Sequence, residues 1–281
     1  MNNILLSNSP LLLLTQILSV LYLVTTGLYG AHFFRDIQSA KKYKQPALVM
    51  TLLTHLVYLG LLTSIDGFRI GYSTFNIMTM VALTLTTTYF FIEFTTKNDK
   101  TGFFVLAFAS GAQLLSSILT AQATGTGVAF SGIGIGVHLI SSIFSFSAIA
   151  IAGLYSFLYL LLFRQIQRNR FELLFQRLPN LEVLESLTMH AVAFGFIFLS
   201  ITLFAGVIEL NASGGAINLM DLKVITLVVI WLFYGISIFI RPLIGWDIKN
   251  MAYLFIILFV FITLLITLMA IFSPTFHTAI P

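Results

Sequence analysis

The chain has 281 residues, of which 58% are hydrophobic and only 9% are charged, and it contains no cysteine. Soluble domains carry about 25% charged residues, so this composition excludes an ordinary soluble protein and indicates one embedded in a membrane. The absence of cysteine excludes thiol chemistry and disulfide bonds.

Long uncharged stretches predict the membrane-spanning segments. The stretch 101–163 has no Asp, Glu, Lys or Arg. About 20 apolar residues cross the hydrocarbon core as a helix, so this stretch must hold two helices, separated at the glycine-rich segment 124–136. We predict an all-α polytopic membrane bundle that forms one integral membrane domain over 1–281. Its eight transmembrane helices are expected at 10–33, 46–64, 75–94, 103–121, 136–163, 187–209, 224–240 and 251–272.

The positive residues predict the orientation. Twelve of the 14 Lys and Arg residues fall in the loops after predicted helices 1, 3, 5 and 7, and the other two are Arg69 and Lys223. Short loops rich in Lys and Arg stay on the cytoplasmic side. We therefore expect a bacterial-type cytoplasmic (inner) membrane protein with both termini periplasmic. The net charge of +4 then serves topology, and we expect no nucleic-acid partner.

The five histidines differ in predicted depth. His32 and His190 lie near cytoplasmic helix ends, where a structural role is the simpler interpretation. His55 lies near the middle of the second helix, where ionisable groups are costly and commonly functional. The alternative for His55 is a neutral imidazole that is hydrogen-bonded to a neighbouring helix.

Two histidines share the outer surface. His138 lies at the start of the fifth helix, and His277 follows the eighth. Two neutral imidazoles at one depth can ligate a metal ion or a haem iron from opposite faces. Depth alone does not bring the two side chains together, because the fifth and eighth helices need not be neighbours.

Several segments, in this order, resemble the cytochrome c assembly family, the haem-handling membrane proteins of the CcsA, CcmC and HemX/YpjD type. An early helix, "LLTHLVYLGLL", is similar to the family's histidine-bearing helix, and "SPTFHT" is similar to its Pro-x-x-His ending. The resemblance is strongest over 136–281. Its segments there are "GVHLISSIFSFSAIAIAGLYSFLYLL", "RLPNLEVLESL", "FGFIFLSITLFAGVI" and "DLKVITLVVIWLFYGISIFIRPLIGW".

The resemblance implies a cofactor and ligands for it. His138 and His277 match the family's outer histidines, which are axial ligands of haem iron. His55 is then a further ligand or a polar contact within the membrane. Asp221 and Lys223 are similar to part of the family's outer loop and are expected near the haem propionates.

The chain also departs from the haem lyases of the family. The loop 210–224 has no tryptophan, whereas the family's outer loop has several; the two tryptophans here are Trp231 and Trp246. The stretch "SIFIRP" lacks the second membrane histidine of the lyases. These departures favour the HemX/YpjD-type branch.

The resemblance therefore predicts an inner-membrane protein that binds or relays haem in support of cytochrome c assembly or haem homeostasis. The expected partners are the lipid bilayer, haem, and other cytochrome c assembly proteins or apocytochrome. We do not expect an enzyme, because no bond is made or broken by the protein itself.

Two alternatives stay open. One is a transporter for a small solute or metal ion, whose path would be lined by polar groups such as His55, Asn76 and Gln113. The other is a scaffold that has lost haem binding and recruits partners through the basic, amphipathic loop 164–186.

Overall fold

The computed structural model describes residues 9–66, 74–120, 133–170, 172–212 and 222–272, and these are helical apart from short connections. A π-helical turn, Ile236–Ile240, directly follows the helix Leu222–Gly235. The helices are α1 (Ser9–Arg35), α2 (Gln38–Asp66), α3 (Thr74–Thr96), α4 (Gly102–Thr120), α5 (Ile133–Gln167), α6 (Leu173–Arg177), α7 (Leu181–Ala212), α8 (Leu222–Gly235), α9 (Arg241–Ile244) and α10 (Ile248–Phe272).

Each of the eight predicted segments lies on a helix, which confirms the all-α, multi-pass membrane class. Within the described residues, six helices are long and apolar enough to cross a membrane, namely α1, α2, α3, α5, α7 and α10. The apolar parts of the other two segments are shorter, at Gly102–Ile118 in α4 and Val224–Phe239 in α8 and its π-helical turn.

Helices α1 to α4 form an N-terminal bundle, in which α1 packs against α2 and α4, and α3 packs against α4. In lipid, apolar side chains gain little by leaving the solvent, so helices associate through close packing and hydrogen bonds between polar side chains. Thr25 and Thr51 join α1 to α2 with hydroxyl oxygens 2.8 Å apart. Thr26 and Ser110 join α1 to α4 at 2.5 Å.

Helix α5 is the centre of the C-terminal half. It packs most extensively against α7 and also against α10, and it contacts α3 of the N-terminal bundle. A hydrogen bond of 2.6 Å between Thr84 and Ser147 crosses the α3–α5 contact. Gly153 lets α10 approach, because a Cβ atom there would lie 2.8 Å from Cβ of Phe259.

The described connections α1–α2, α3–α4, α5–α7 and α9–α10 meet at one end of the bundle, which we call the basic end. Arg177 contacts Asp36 at 3.4 Å and so ties the α5–α7 connection to the α1–α2 connection. Lys44, only 2% exposed, pairs with Asp99 across α2 and the α3–α4 connection. Twelve of the 14 Lys and Arg residues belong to this end.

The α5–α7 connection is packed onto the bundle. Leu174 and Phe175 of α6 lie against the hydrophobic core, and Leu178 is buried. Leu174 and Phe175, which a scaffold would offer to partners, are therefore packed within the chain, whereas Leu173 is exposed and Phe171 lies outside the described residues.

Candidate functional site

His138 lies near the start of α5, at the end of the bundle opposite the basic end, and faces α7. Its Nδ1 atom is 3.0 Å from the backbone carbonyl oxygen of Thr202. A carbonyl oxygen can only accept a hydrogen bond, so Nδ1 carries the proton and donates it. The imidazole is partly exposed. In the neutral imidazole, Nε2 then keeps the lone pair, which is the state in which histidine binds a metal.

Gly206, one helical turn beyond Thr202, makes room for the ring. A Cβ atom at this position would lie 3.1 Å from both Cε1 and Nδ1 of His138. That distance is shorter than ordinary van der Waals contact, so a larger side chain would displace the imidazole. Thr202 and Gly206 could not be identified from the sequence, because neither belongs to a motif and their role depends on the register between α5 and α7.

Hydroxyl groups fix that register directly beneath His138. Thr202 Oγ1 lies 2.9 Å from Ser141 Oγ and 3.4 Å from Ser145 Oγ. One turn further, the rings of Phe144 and Phe198 stack with centroids 4.7 Å apart. The α5–α7 contact therefore holds the imidazole in place through backbone, hydroxyl and aromatic contacts together.

Glu209 adds a carboxylate at the same end of the bundle. A Cβ atom at Gly134 would lie 2.5 Å from Oε2 of Glu209, so the carboxylate sits against the first turn of α5. Negative charge near a helix N-terminus is favourable, by about 0.3–1 kcal/mol for an exposed group. This contact is a further link between α5 and α7 that the sequence did not predict.

His55 is fully buried at the centre of the N-terminal bundle, and both of its nitrogens are occupied. Thr79 Oγ1 donates to Gln113 Oε1 at 2.8 Å, so it accepts a proton from Nε2 of His55, 3.1 Å away. Nδ1 then accepts from the hydroxyl of Tyr22 at 2.9 Å. Neither nitrogen has a free lone pair, so a metal at His55 would first have to break one of these bonds.

The same four side chains bear on the transport alternative. His55 and Gln113 do lie close together, bridged by Thr79, while the side chain of Asn76 is outside the described part of α3. The bridge consists of direct hydrogen bonds between buried groups from all four helices. This arrangement favours a role in holding the bundle together.

We expect His55→Leu to destabilise the protein by about 1–2 kcal/mol, because two interhelical hydrogen bonds in a membrane contribute about 0.6 kcal/mol each and rarely more than 1.7. His190→Leu is the matched control, since His190 is exposed and its Nδ1 contacts Ser186 of its own helix, donating to the carbonyl oxygen at 2.7 Å and lying 3.5 Å from Oγ. Thermal unfolding in detergent measures both variants. Equal midpoints would show that the His55 network does not stabilise the bundle.

Three predicted site residues remain. His277 and Asp221 lie outside the described residues, and so does the side chain of Lys223. The structure therefore leaves the pairing of His138 with His277 as a prediction. The tryptophan Trp231 is structural: its Nε1 donates to Ser200 Oγ at 2.8 Å.

Within the described ranges, no three His, Asp or Glu side chains are grouped closely enough to hold a metal ion by themselves. What this part of the chain presents is one oriented histidine, which suits a metal that brings its own equatorial ligands. Haem iron is such a metal, because the porphyrin supplies four nitrogens and the protein supplies the axial ligands.

The fold and the site define a multi-pass membrane protein with an oriented histidine at one end. The family model described as cytochrome C assembly protein matches residues 47–277, which is well over half of the chain. The chain belongs to the cytochrome c assembly protein family, which indicates a role in cytochrome c maturation or haem handling. Comparisons with curated proteins and with solved structures found no match.

Proposed function

We propose that this protein binds and relays haem at the outer face of a bacterial-type inner membrane, in support of cytochrome c assembly or haem homeostasis. The observation that carries the proposal is the 3.0 Å hydrogen bond from His138 Nδ1 to the carbonyl of Thr202, inside the region that matches the family. A carbonyl that accepts a hydrogen bond from the other ring nitrogen commonly sets the tautomer and orientation of metal-binding histidines.

The residues of the site fit haem in three respects. His138 offers a neutral Nε2 donor, which suits iron. Gly206 leaves the ring unobstructed on the α7 side. The stacked rings of Phe144 and Phe198 provide an aromatic surface beneath the histidine. Haem, when bound, supplies an iron that takes axial imidazole ligands and can change its oxidation state.

The remaining assignments complete the proposal. His277 is the second axial ligand, and Asp221 and Lys223 lie near the propionates. His55 serves as a polar contact that joins α1 to α4, since both of its nitrogens are engaged. The protein makes and breaks no covalent bond of its own, so it acts as a carrier for haem-using assembly partners or apocytochrome.

The topology follows from the same assignments. All eight apolar segments cross the bilayer, with the shorter ones in α4 and α8 spanning it within the bundle. The basic end is cytoplasmic, because it gathers twelve of the 14 Lys and Arg residues. His138 and both termini are then on the outer side. The missing tryptophans in 210–224 favour the HemX/YpjD-type branch.

The test is an optical titration of the purified protein in mild detergent with haem. We expect a sharp Soret band, with split visible bands after reduction, that saturates at one haem per chain. Bis-histidine ligation produces this spectrum. The proposal would be overturned if the spectrum of haem with the protein matched that of free haem in detergent at every concentration.

A further inference from the structure

Six phenylalanines from three helices form a continuous row of ring contacts, which we call the aromatic ladder. The rings of Phe91 and Phe194 join α3 to α7, with centroids 6.0 Å apart. Phe198 then stacks on Phe144 of α5 at 4.7 Å. The ladder runs in the order Phe94, Phe90, Phe91, Phe194, Phe198 and Phe144.

The spacing of the rings is that of interacting aromatic groups. Successive centroids along the ladder lie between 4.7 and 6.2 Å apart. Aromatic pairs attract one another at about 4.5–7 Å. The same forces act between a phenyl ring and any flat aromatic guest.

The ladder is open along its side. Phe91 is 46% exposed and Phe94 is 60% exposed, and the other four rings are partly exposed. These rings face outward from α3, α5 and α7 within their membrane-spanning segments. A hydrophobic molecule in the bilayer can therefore reach them without entering the bundle.

The two ends of the ladder differ in chemistry. At one end, the carbonyl of Phe198 accepts a hydrogen bond from Thr202 Oγ1 at 2.8 Å, and the carbonyl of Thr202 orients His138. At the other end, the ammonium group of Lys97 lies 4.1 Å from the ring centroid of Phe94. The ladder thus begins beside a cation at the basic end and ends one helical turn from Thr202, whose carbonyl orients His138.

We propose that the aromatic ladder is the path along which haem moves, on the lipid-facing side of α3, α7 and α5, from the basic end of the bundle to His138. Haem is flat, aromatic and apolar over most of its surface, and it carries two carboxylates. Phenyl rings match the macrocycle, and Lys97 matches a carboxylate at the entry. An acyl chain would need neither the rings nor the cation.

The proposal rests on the proposed function in taking haem as the occupant and His138 as the destination. It goes further by assigning a binding surface to residues outside the ligand site. The ladder also requires no opening of the closed His55 network, because the rings lie outside the N-terminal bundle's polar centre.

The first experiment uses metal-free protoporphyrin IX, which cannot be ligated by histidine. The photoreactive residue p-benzoylphenylalanine is placed at position 91 or at position 261 in the full-length protein in lipid nanodiscs. Phe261 is the matched control, because it is 48% exposed, close to the 46% of Phe91, and lies on α10. We expect about fivefold more porphyrin adduct at 91, since one aromatic contact is worth about 1 kcal/mol.

Equal adduct yields at the two positions would overturn the ladder as a porphyrin surface and would leave lipid as its covering. This outcome does not depend on iron ligation. A ladder adduct in a protein that shows no haem Soret shift would contradict His138 ligation while supporting the surface. A Soret shift with equal adduct yields would do the reverse.

The second experiment measures the rate at which haem reaches His138 from a preloaded nanodisc. Phe194→Leu removes the central ring but keeps an apolar side chain. We expect this variant to slow the Soret change about fivefold and to leave its final amplitude unchanged. Phe261→Leu should not change the rate. An unchanged rate in Phe194→Leu would show that haem reaches His138 by another path.

Discussion

His138→Ala should abolish the haem Soret shift at concentrations that saturate the wild-type protein. Loss of the group that hydrogen-bonds a metal ligand commonly lowers metal affinity about 10–100-fold. Loss of the ligand itself should therefore lower haem affinity by at least about 100-fold. The substitution should not disturb the fold, because the ring is partly exposed and its one hydrogen bond is to a backbone carbonyl. Optical titration with haem measures the effect.

The control for this experiment is His190→Ala. His190 is also a histidine on the α5–α7 pair, but it is exposed and bonds within its own helix. The His190→Ala variant should bind haem like the wild type. Gly206→Ala should give an intermediate loss, because its methyl group would lie 3.1 Å from the imidazole. Full haem affinity in His138→Ala would show that the protein holds haem elsewhere.

The sequence predicted the helices well because the membrane imposes a simple rule. A segment without charge that is long enough to cross the hydrocarbon core has to satisfy its backbone internally, so it forms a helix. All eight predicted segments, which hold at most one charged residue each, are helical wherever the structure describes them. The glycine-rich break predicted at 124–136 lies outside the described residues up to 132, and its last four residues are helical because α5 begins at Ile133.

The candidate site was predicted less completely. The position of His138 near a helix start could be inferred from the sequence, but its partner could not. Thr202 acts through its backbone carbonyl, and a carbonyl is present at every residue. Only the register between α5 and α7, set by contacts such as Thr202 to Ser141 at 2.9 Å, decides which carbonyl the imidazole meets.

His55 shows the opposite case. Its place near the middle of the second predicted helix left a site and a neutral, hydrogen-bonded imidazole both open, and the structure places it at 0% exposure. The sequence could not choose between a ligand and a polar contact, because Tyr22, Thr79 and Gln113 come from three other helices. Buried polar groups need partners, and here those partners are supplied by the packing of the bundle.

The aromatic ladder was also beyond sequence analysis. With 28 phenylalanines in the chain, most are expected to be packing or lipid-facing residues. The ladder is distinguished by contacts between helices that are far apart in sequence, such as Phe91 with Phe194. Such contacts depend on the packing of α3 against α7, which no local pattern in the sequence specifies.

Two glycines on α4 should respond in opposite directions to the same substitution. Gly102 begins the helix, and a Cβ atom there would lie 2.3 Å from both Cδ1 of Tyr29 and the hydroxyl of Tyr89. Both tyrosines are buried, so neither can move aside freely. Overpacking of this kind costs about 1–3 kcal/mol, and we expect Gly102→Ala to lower the free energy of unfolding by that amount.

Gly111 lies in the middle of the same helix and is exposed, and a Cβ atom there meets nothing within 4 Å. Alanine is the better helix former, so Gly111→Ala should be neutral or stabilising by about 0.5–1 kcal/mol. Thermal unfolding of both variants in the same detergent makes the comparison.

The substitution Gly102→Ala should also weaken the hydrogen bonds to Glu93 at the basic end. Tyr29 donates to Glu93 at 2.7 Å, and Gln45 donates to the same carboxylate at 2.9 Å. A displaced Tyr29 would leave the buried carboxylate with one partner fewer, which adds the cost of an unsatisfied charged group. If Gly102→Ala and Gly111→Ala unfold at the same temperature, the packing of α4 against α1 and α3 at this end is looser than the structure shows.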